Sequence, residues 1–106
     1  MANLFRSRIR FSEGLGWERD MPNVKVYTTS WSADCAQAKE FLEDEGIFYD
    51  EVDIEHSTEG ARFVEQANKG KRTVPTFDID GTVFSLKPFN WKRLQAELER
   101  LGVEEE

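Results

Sequence analysis

The stretch Val24-Lys25-Val26-Tyr27-Thr28-Thr29-Ser30-Trp31-Ser32-Ala33-Asp34-Cys35 changes character within twelve residues. Val24 to Thr29 is rich in β-branched and aromatic residues and is bounded by Pro22-Asn23 and Ser30, so it reads as a short strand. Residues 33–45 read as a helix: Cys35, Ala38, Phe41 and Leu42 recur at helical spacing, and Gly46 suits the position just past the end. Ser32 can cap that helix by accepting a hydrogen bond from a backbone N–H. A strand that runs straight into a capped helix places whatever lies at residues 31–35 at the positive end of the helix dipole.

Working outward, Ile47 to Ile54 reads as a second strand and Thr58 to Asn68 as a second helix, with Ala61, Val64 and Ala67 on one face. Val74 to Ile79 reads as a third strand. Asp80-Gly81 is a two-residue hairpin signal leading into Thr82 to Leu86. Trp91, Leu94, Leu98 and Leu101 form an apolar stripe on a last helix closed by Gly102, which predicts Trp91 in the core. The order βαβ, α, ββ, α requires a parallel pair and an antiparallel hairpin, satisfied by one mixed four-stranded sheet with helices on both faces.

The 106 residues are one domain's worth. Eight Phe, three Trp and a 39% hydrophobic fraction supply a core. The net charge of −7 speaks against nucleic acid, which wants clustered Lys and Arg. No apolar run approaches the ~20 residues of a membrane span, and the first twenty residues lack the apolar stretch of a secretory signal. One Cys cannot form an internal disulfide, so the cytoplasm is the expected compartment. One Cys and one His are too few for a closed zinc site, and no metal or resident cofactor is expected. Residues 1–22 carry +1, against −8 for the rest, and read as a flexible extension, although the alternation Arg6 to Phe11 also suits a short strand. Residues 23–103 form the domain and 104–106 an acidic tail. The pairs Asp53/Glu55 and Asp78/Asp80 read as solvated faces.

The chain resembles the glutaredoxin family, and within it the mycoredoxin type. The resemblance rests on Val24-Lys25-Val26-Tyr27-Thr28-Thr29-Ser30-Trp31, on Ala38-Lys39-Glu40-Phe41-Leu42, on Tyr49 to His56, on Lys71-Arg72-Thr73-Val74-Pro75-Thr76 and on Ile79-Asp80-Gly81. It covers roughly Val24 to Gly102. It implies an α/β, thioredoxin-like fold, β-α-β-α-β-β-α, with sheet order 2-1-3-4 and three main helices. It implies thiol–disulfide oxidoreductase activity in redox homeostasis and electron transport, with a disulfide-containing protein or a low-molecular-weight thiol (glutathione or a mycothiol-type thiol) as co-substrate, in a monomer.

By the same resemblance Ser32 stands where the attacking cysteine belongs and Cys35 where the resolving cysteine belongs. In a Cys-x-x-Cys site the outer sulfur attacks a substrate disulfide and the inner one displaces the product. A hydroxyl without an adjacent base offers no nucleophile of that kind, so dithiol chemistry is impaired. Two origins for Ser32 stand open: a natural divergence, or an introduced Cys-to-Ser change.

Each remaining site residue has two readings. Cys35 is either a small core residue or a thiol open to a mixed disulfide, with Asp34 next to it disfavouring the thiolate. Thr73-Val74-Pro75 is either an edge-strand start with a trans proline or, by resemblance, a cis-proline element whose Val74 backbone pairs with an extended substrate. Trp31 either packs in the core or shapes a substrate groove. Lys71 and Arg72 are either a solvated loop or carboxylate binders. A Gly-Gly-x-Asp stretch, usual in glutathione users, is replaced by Ser85-Leu86-Lys87-Pro88. Iron–sulfur binding is disfavoured, because monothiol relatives carry their sulfur at position 32. The alternative to a redox enzyme is a redox-inactive module that binds a peptide or protein.

Overall fold

The computed structural model describes residues 22–103, so residues 1–21 of the extension, with the Arg6–Phe11 alternation, and the acidic tail lie outside the described residues. The elements run β1 (Val24–Thr28), α1 (Ala33–Asp44), β2 (Asp50–Asp53), α2 (Thr58–Ala67), β3 (Thr76–Ile79), β4 (Thr82–Ser85) and α3 (Trp91–Arg100). They form one four-stranded sheet of order β2-β1-β3-β4. β1 pairs with β2 in parallel and with β3 antiparallel, and β3 pairs with β4 antiparallel.

Alternation along β1 sorts the core into two layers. Val24 and Val26 face Ala38 and Leu42 of α1, Phe77 and Ile79 of β3, and Leu94 and Leu98 of α3. Tyr27 belongs to the opposite layer with Ile54, Ala61, Val64 and Val74, and stacks on Phe63 at 4.7 Å. Thus α1 and α3 cover one face of the sheet and α2 the other. Cys35 joins the second layer although it sits on α1, because the first turn of that helix reaches past the end of β1.

Helix ends explain where the observed elements fall short of their predicted spans. α1 stops in a left-handed cap: Gly46 at φ +72° donates to the Glu43 carbonyl and Ile47 to the Leu42 carbonyl. Ile47 is therefore spent as the buried plug of a helix end, and β2 begins at Asp50 rather than at 47. α3 closes the same way through Gly102 and buried Val103. α2 uses Lys69 at φ +58° for the left-handed residue, with Gly70 following it. β3 begins at Thr76 because Pro75 has no N–H to give to the ladder. The hairpin turn has Asp80 and Gly81 both at positive φ, 54° and 97°, as a two-residue loop of this hand requires.

Trp91 corrects the sequence reading. It is 50% exposed, not buried. It is the first residue of α3, immediately after the Asn90 cap, where the helix has not yet reached the sheet. One side stacks on Phe41 at 6.1 Å between ring centres, and Lys92 lies 5.7 Å from the ring. Leu94 and Leu98 carry the core contact of that stripe.

Candidate functional site

The site lies where β1 gives way to α1. Ser32 has extended backbone angles, and its hydroxyl accepts a hydrogen bond from the Cys35 N–H at 3.2 Å. Its carbonyl accepts from the Ala36 N–H. Position 32 is thus the N-cap, half-exposed, and position 35 is one turn inside. Cys35 is a free thiol, 1% exposed, packed with Tyr27, Ile54 and Val74. The structure therefore brings Cys35 and Val74 into one buried cluster beneath the Ser32 cap.

The Val74–Pro75 peptide bond is cis, as is Lys87–Pro88, which nothing in the sequence singled out. Val74 and Pro75 are buried. The segment is pinned from behind by a polar network: Thr76 Oγ1 donates to the Thr73 carbonyl at 2.7 Å, and Asn68 Nδ2 donates to Thr76 Oγ1 at 3.2 Å. Ser85 Oγ donates to Asn68 Oδ1 at 2.9 Å. The Pro75 carbonyl accepts from the Leu86 N–H. Each member is a short polar residue at a strand or helix end, a placement that the sequence does not mark.

Trp31 lies at the surface, 69% exposed, so its core alternative is set aside. It is held by Glu55, on the turn after β2. Glu55 Oε2 accepts from the indole N–H at 2.7 Å, and Oε1 accepts from the Ser30 hydroxyl at 3.1 Å and from the Ser30 N–H at 3.4 Å. The Glu55 N–H in turn donates to Asp53 Oδ1. Asp53 also pairs with His56 at 2.8 Å, and that hydrogen bond raises the His56 pKa and lowers that of Asp53. No hydrogen bond joins His56 to Ser32 among the described residues, so position 32 has no imidazole base.

Two residues before Asp53 on β2, Glu51 accepts from Thr28 Oγ1 at 2.7 Å and from Lys39 Nζ at 2.9 Å. Lys39 lies one turn beyond Cys35 on α1, and its pKa is raised, first by the bond to Glu51 and in smaller part by the field of Cys35. Asp34 accepts from the Phe89 N–H at 2.9 Å, tying the loop before α3 to the first turn of α1. Lys71 is exposed, and Arg72 is engaged by Glu65 at 2.6 Å. Among the described residues no group of three or more His, Cys, Asp or Glu is arranged to hold a metal. No helix among them is long and apolar enough to cross a membrane. A groove of about 260 Å³ lined by Glu43, Gly46, Ile47, Phe48 and Tyr49 lies at the opposite end of α1 and takes no part in the site.

Comparison with known proteins agrees with this fold. The glutaredoxin family model matches residues 24–84. A Mycobacterium tuberculosis protein (strain H37Rv) whose name assigns it to the glutaredoxins is 53% identical over 63 residues, 58% of this chain and 75% of the relative. Mycoredoxin 1 of Corynebacterium glutamicum is 36% identical over 63 residues, 58% of this chain and 77% of the relative. Among solved structures, a thioredoxin-like protein superimposes with a TM-score of 0.60 at 27% identity, over 70% of this chain and 97% of that one. A buckwheat glutaredoxin–glutathione complex superimposes with a TM-score of 0.61 at 16% identity, over 78% and 82% of the two chains. The chain belongs to the glutaredoxin family, with the thioredoxin-like fold and a relationship to thiol–disulfide redox proteins that the family carries.

Proposed function

We propose that this chain is a glutaredoxin-type thiol–disulfide oxidoreductase of the cytoplasm whose dithiol cycle is interrupted at position 32. The observation that carries the reading is the pairing of a half-exposed cap at Ser32 with a buried thiol at Cys35, one turn apart beside Val74. That is the arrangement in which an outer thiolate attacks and an inner thiol resolves. With sulfur at position 32, the outer thiolate would attack a substrate disulfide, forming a mixed disulfide and expelling one thiolate. The inner thiol, losing its proton, would then attack the outer sulfur and release the second substrate thiolate. The protein dithiol is oxidised by two electrons and the substrate disulfide reduced by two. The N-cap position favours the outer thiolate, through the helix dipole and the unpaired N–H groups of the first turn.

Lining residues support a substrate in this reading. Half-buried Thr73 would meet a peptide, with buried Val74 and Pro75 setting the course of the chain beneath it, and Trp31 flanks the cap. Lys71 and Arg72 are the cations nearest in sequence to that segment and would receive the carboxylate of a low-molecular-weight thiol, glutathione or of the mycothiol type, with Arg72 exchanging its Glu65 partner. The test is Ser32→Cys. After mild oxidation the variant should lose about 2 Da and regain it with dithiothreitol, as formation and reduction of a 32–35 disulfide require. A variant that stays a free dithiol under oxidation would overturn the reading.

A second reading is favoured by one observation: in the native chain the position-32 hydroxyl is spent on capping, and Cys35 is sealed below it. The native molecule would then bind a peptide or protein without turnover. Incubated with oxidised glutathione, Cys35 should gain no adduct. A prompt, reversible adduct would assign the native chain monothiol chemistry instead.

A further inference from the structure

We infer that Trp31 and Glu55 form a rim subsite for a cationic side chain, so that the polypeptides this site accepts carry Arg or Lys beside their reactive residue. The inference rests on the proposed site and deepens it. Trp31 is 69% exposed, yet its indole N–H is not available to a partner, because Glu55 Oε2 accepts it at 2.7 Å. The ring is therefore held by its edge and offers its π-face. A ring whose N–H is donated to a carboxylate carries more negative charge on its face, and such a face attracts ammonium and guanidinium groups. The carboxylate itself stands at the ring edge, so a cation over the indole would also meet a full negative charge.

Glu55 is not free to swing away. Ser30 holds its Oε1 through both hydroxyl and N–H, and Asp53 accepts its backbone N–H. These bonds fix the carboxylate and the indole relative to each other before any partner arrives, which lowers the ordering cost of binding. At least one acceptor lone pair of the carboxylate remains, since three of roughly four sites are used. Asp53 adds negative charge behind it, shared with His56. Glu55 acts here as a positioning residue for Trp31 and as the counter-charge for the ligand.

The experiment uses the native full chain, with Ser32 in place, and three blocked heptapeptides whose central residue is serine, so that no covalent chemistry intervenes. The central serine is flanked on both sides by Arg, by Gln or by Glu. Affinities are measured by titration in alkaline buffer, where His56 is neutral, following the Trp31 indole N–H resonance assigned with Trp31→Phe. The Arg peptide should bind roughly three- to fivefold more tightly than the Gln peptide, with the Glu peptide weakest. Glu55→Gln should remove most of that preference and speed exchange of the indole proton. Trp31→Leu, which keeps an apolar rim without a π-face, should remove it as well. Glu40→Gln, an equal charge change on the outer face of α1, should leave the preference in place. Equal affinity for Arg and Gln peptides, an unmoved Trp31 resonance, or a loss in Glu40→Gln as large as in Glu55→Gln would overturn the inference. The oxidation test of Ser32→Cys reads the redox proposal separately: a variant that forms no disulfide while the native chain keeps its Arg preference sinks the redox reading alone.

Discussion

Asp34 Oδ1 accepts the backbone N–H of Phe89 at 2.9 Å across 55 residues of sequence. The bond fastens the segment that leads into α3 onto the first turn of α1, directly behind the Ser32 cap. Removing the acceptor leaves a part-buried N–H without its partner. Asp34→Ala should lower stability by about 1–2 kcal/mol in urea unfolding, and Asp34→Asn, which keeps an acceptor, by less. Equal losses for the two would show that charge at the helix start, not the bond to Phe89, carries the effect.

Gly60 is required by the approach of α2 to β2. A Cβ there would lie 2.7 Å from Val52 Cγ1 and 3.0 Å from Ser57 Oγ. Val52 is β-branched and turns away only by leaving its rotamer. Gly60→Ala, a stabilising change in an open helix, should instead destabilise by about 1–3 kcal/mol. The double variant Val52→Ala/Gly60→Ala should recover part of that loss. Thermal melts of the three variants decide it, and a Gly60→Ala protein that melts higher than the parent would refute the contact.

Glu51 carries an acid-side signature. Its partial burial works to raise its pKa, but the hydrogen bonds from Thr28 and Lys39 outweigh it, and the carboxyl titrates below its ordinary value of 4.5. A lowered folded-state value adds stability that is present above the ordinary value and lost as pH falls through the folded one. Glu51→Gln should therefore flatten the stability–pH curve below pH 4.5 and change it little in shape near neutrality. Unfolding midpoints taken at pH 3, 4, 5 and 7 test this; parallel curves for the two proteins would contradict it.

His56 has the opposite sign. Its hydrogen bond to Asp53 raises its pKa above 6.5. The stabilisation is fully present below 6.5 and fades as pH rises through the raised value. An NMR titration of the imidazole should give a midpoint above 6.5, moving back toward it in Asp53→Ala. A midpoint at or below the ordinary value in the parent would show that the pair does not form.

Much of the fold was legible because local signals agreed with one another. Gly46 and Gly102 marked two helix ends, Asp80-Gly81 marked the hairpin, and the β-rich run from Val24 marked the strand that α1 and α3 cover. The cap at Ser32 was readable for the same reason: a hydroxyl three residues before a backbone N–H is a local relation. The failures are non-local. Trp91 fits the stripe of α3, but only the placement of that helix against the sheet decides that its first turn overhangs. Ile47 looks like a strand residue until the helix end claims it. Glu55, Glu51, Asn68 and Ser85 are each ordinary polar residues in sequence. They matter to the site through partners 8 to 25 positions away, and nothing in a single chain's pattern announces such a partner.

β2 is an outer strand of the sheet, and three of its four residues are Asp50, Glu51 and Asp53. Two copies meeting along that border would set carboxylates opposite carboxylates, an arrangement that costs free energy at each facing pair. The chain thus carries its own safeguard against self-stacking, and the safeguard is electrostatic and not steric. Because Glu51 and Asp53 hold their charge below the usual carboxylate range, the safeguard persists into mild acid and fails only where those two are protonated as well.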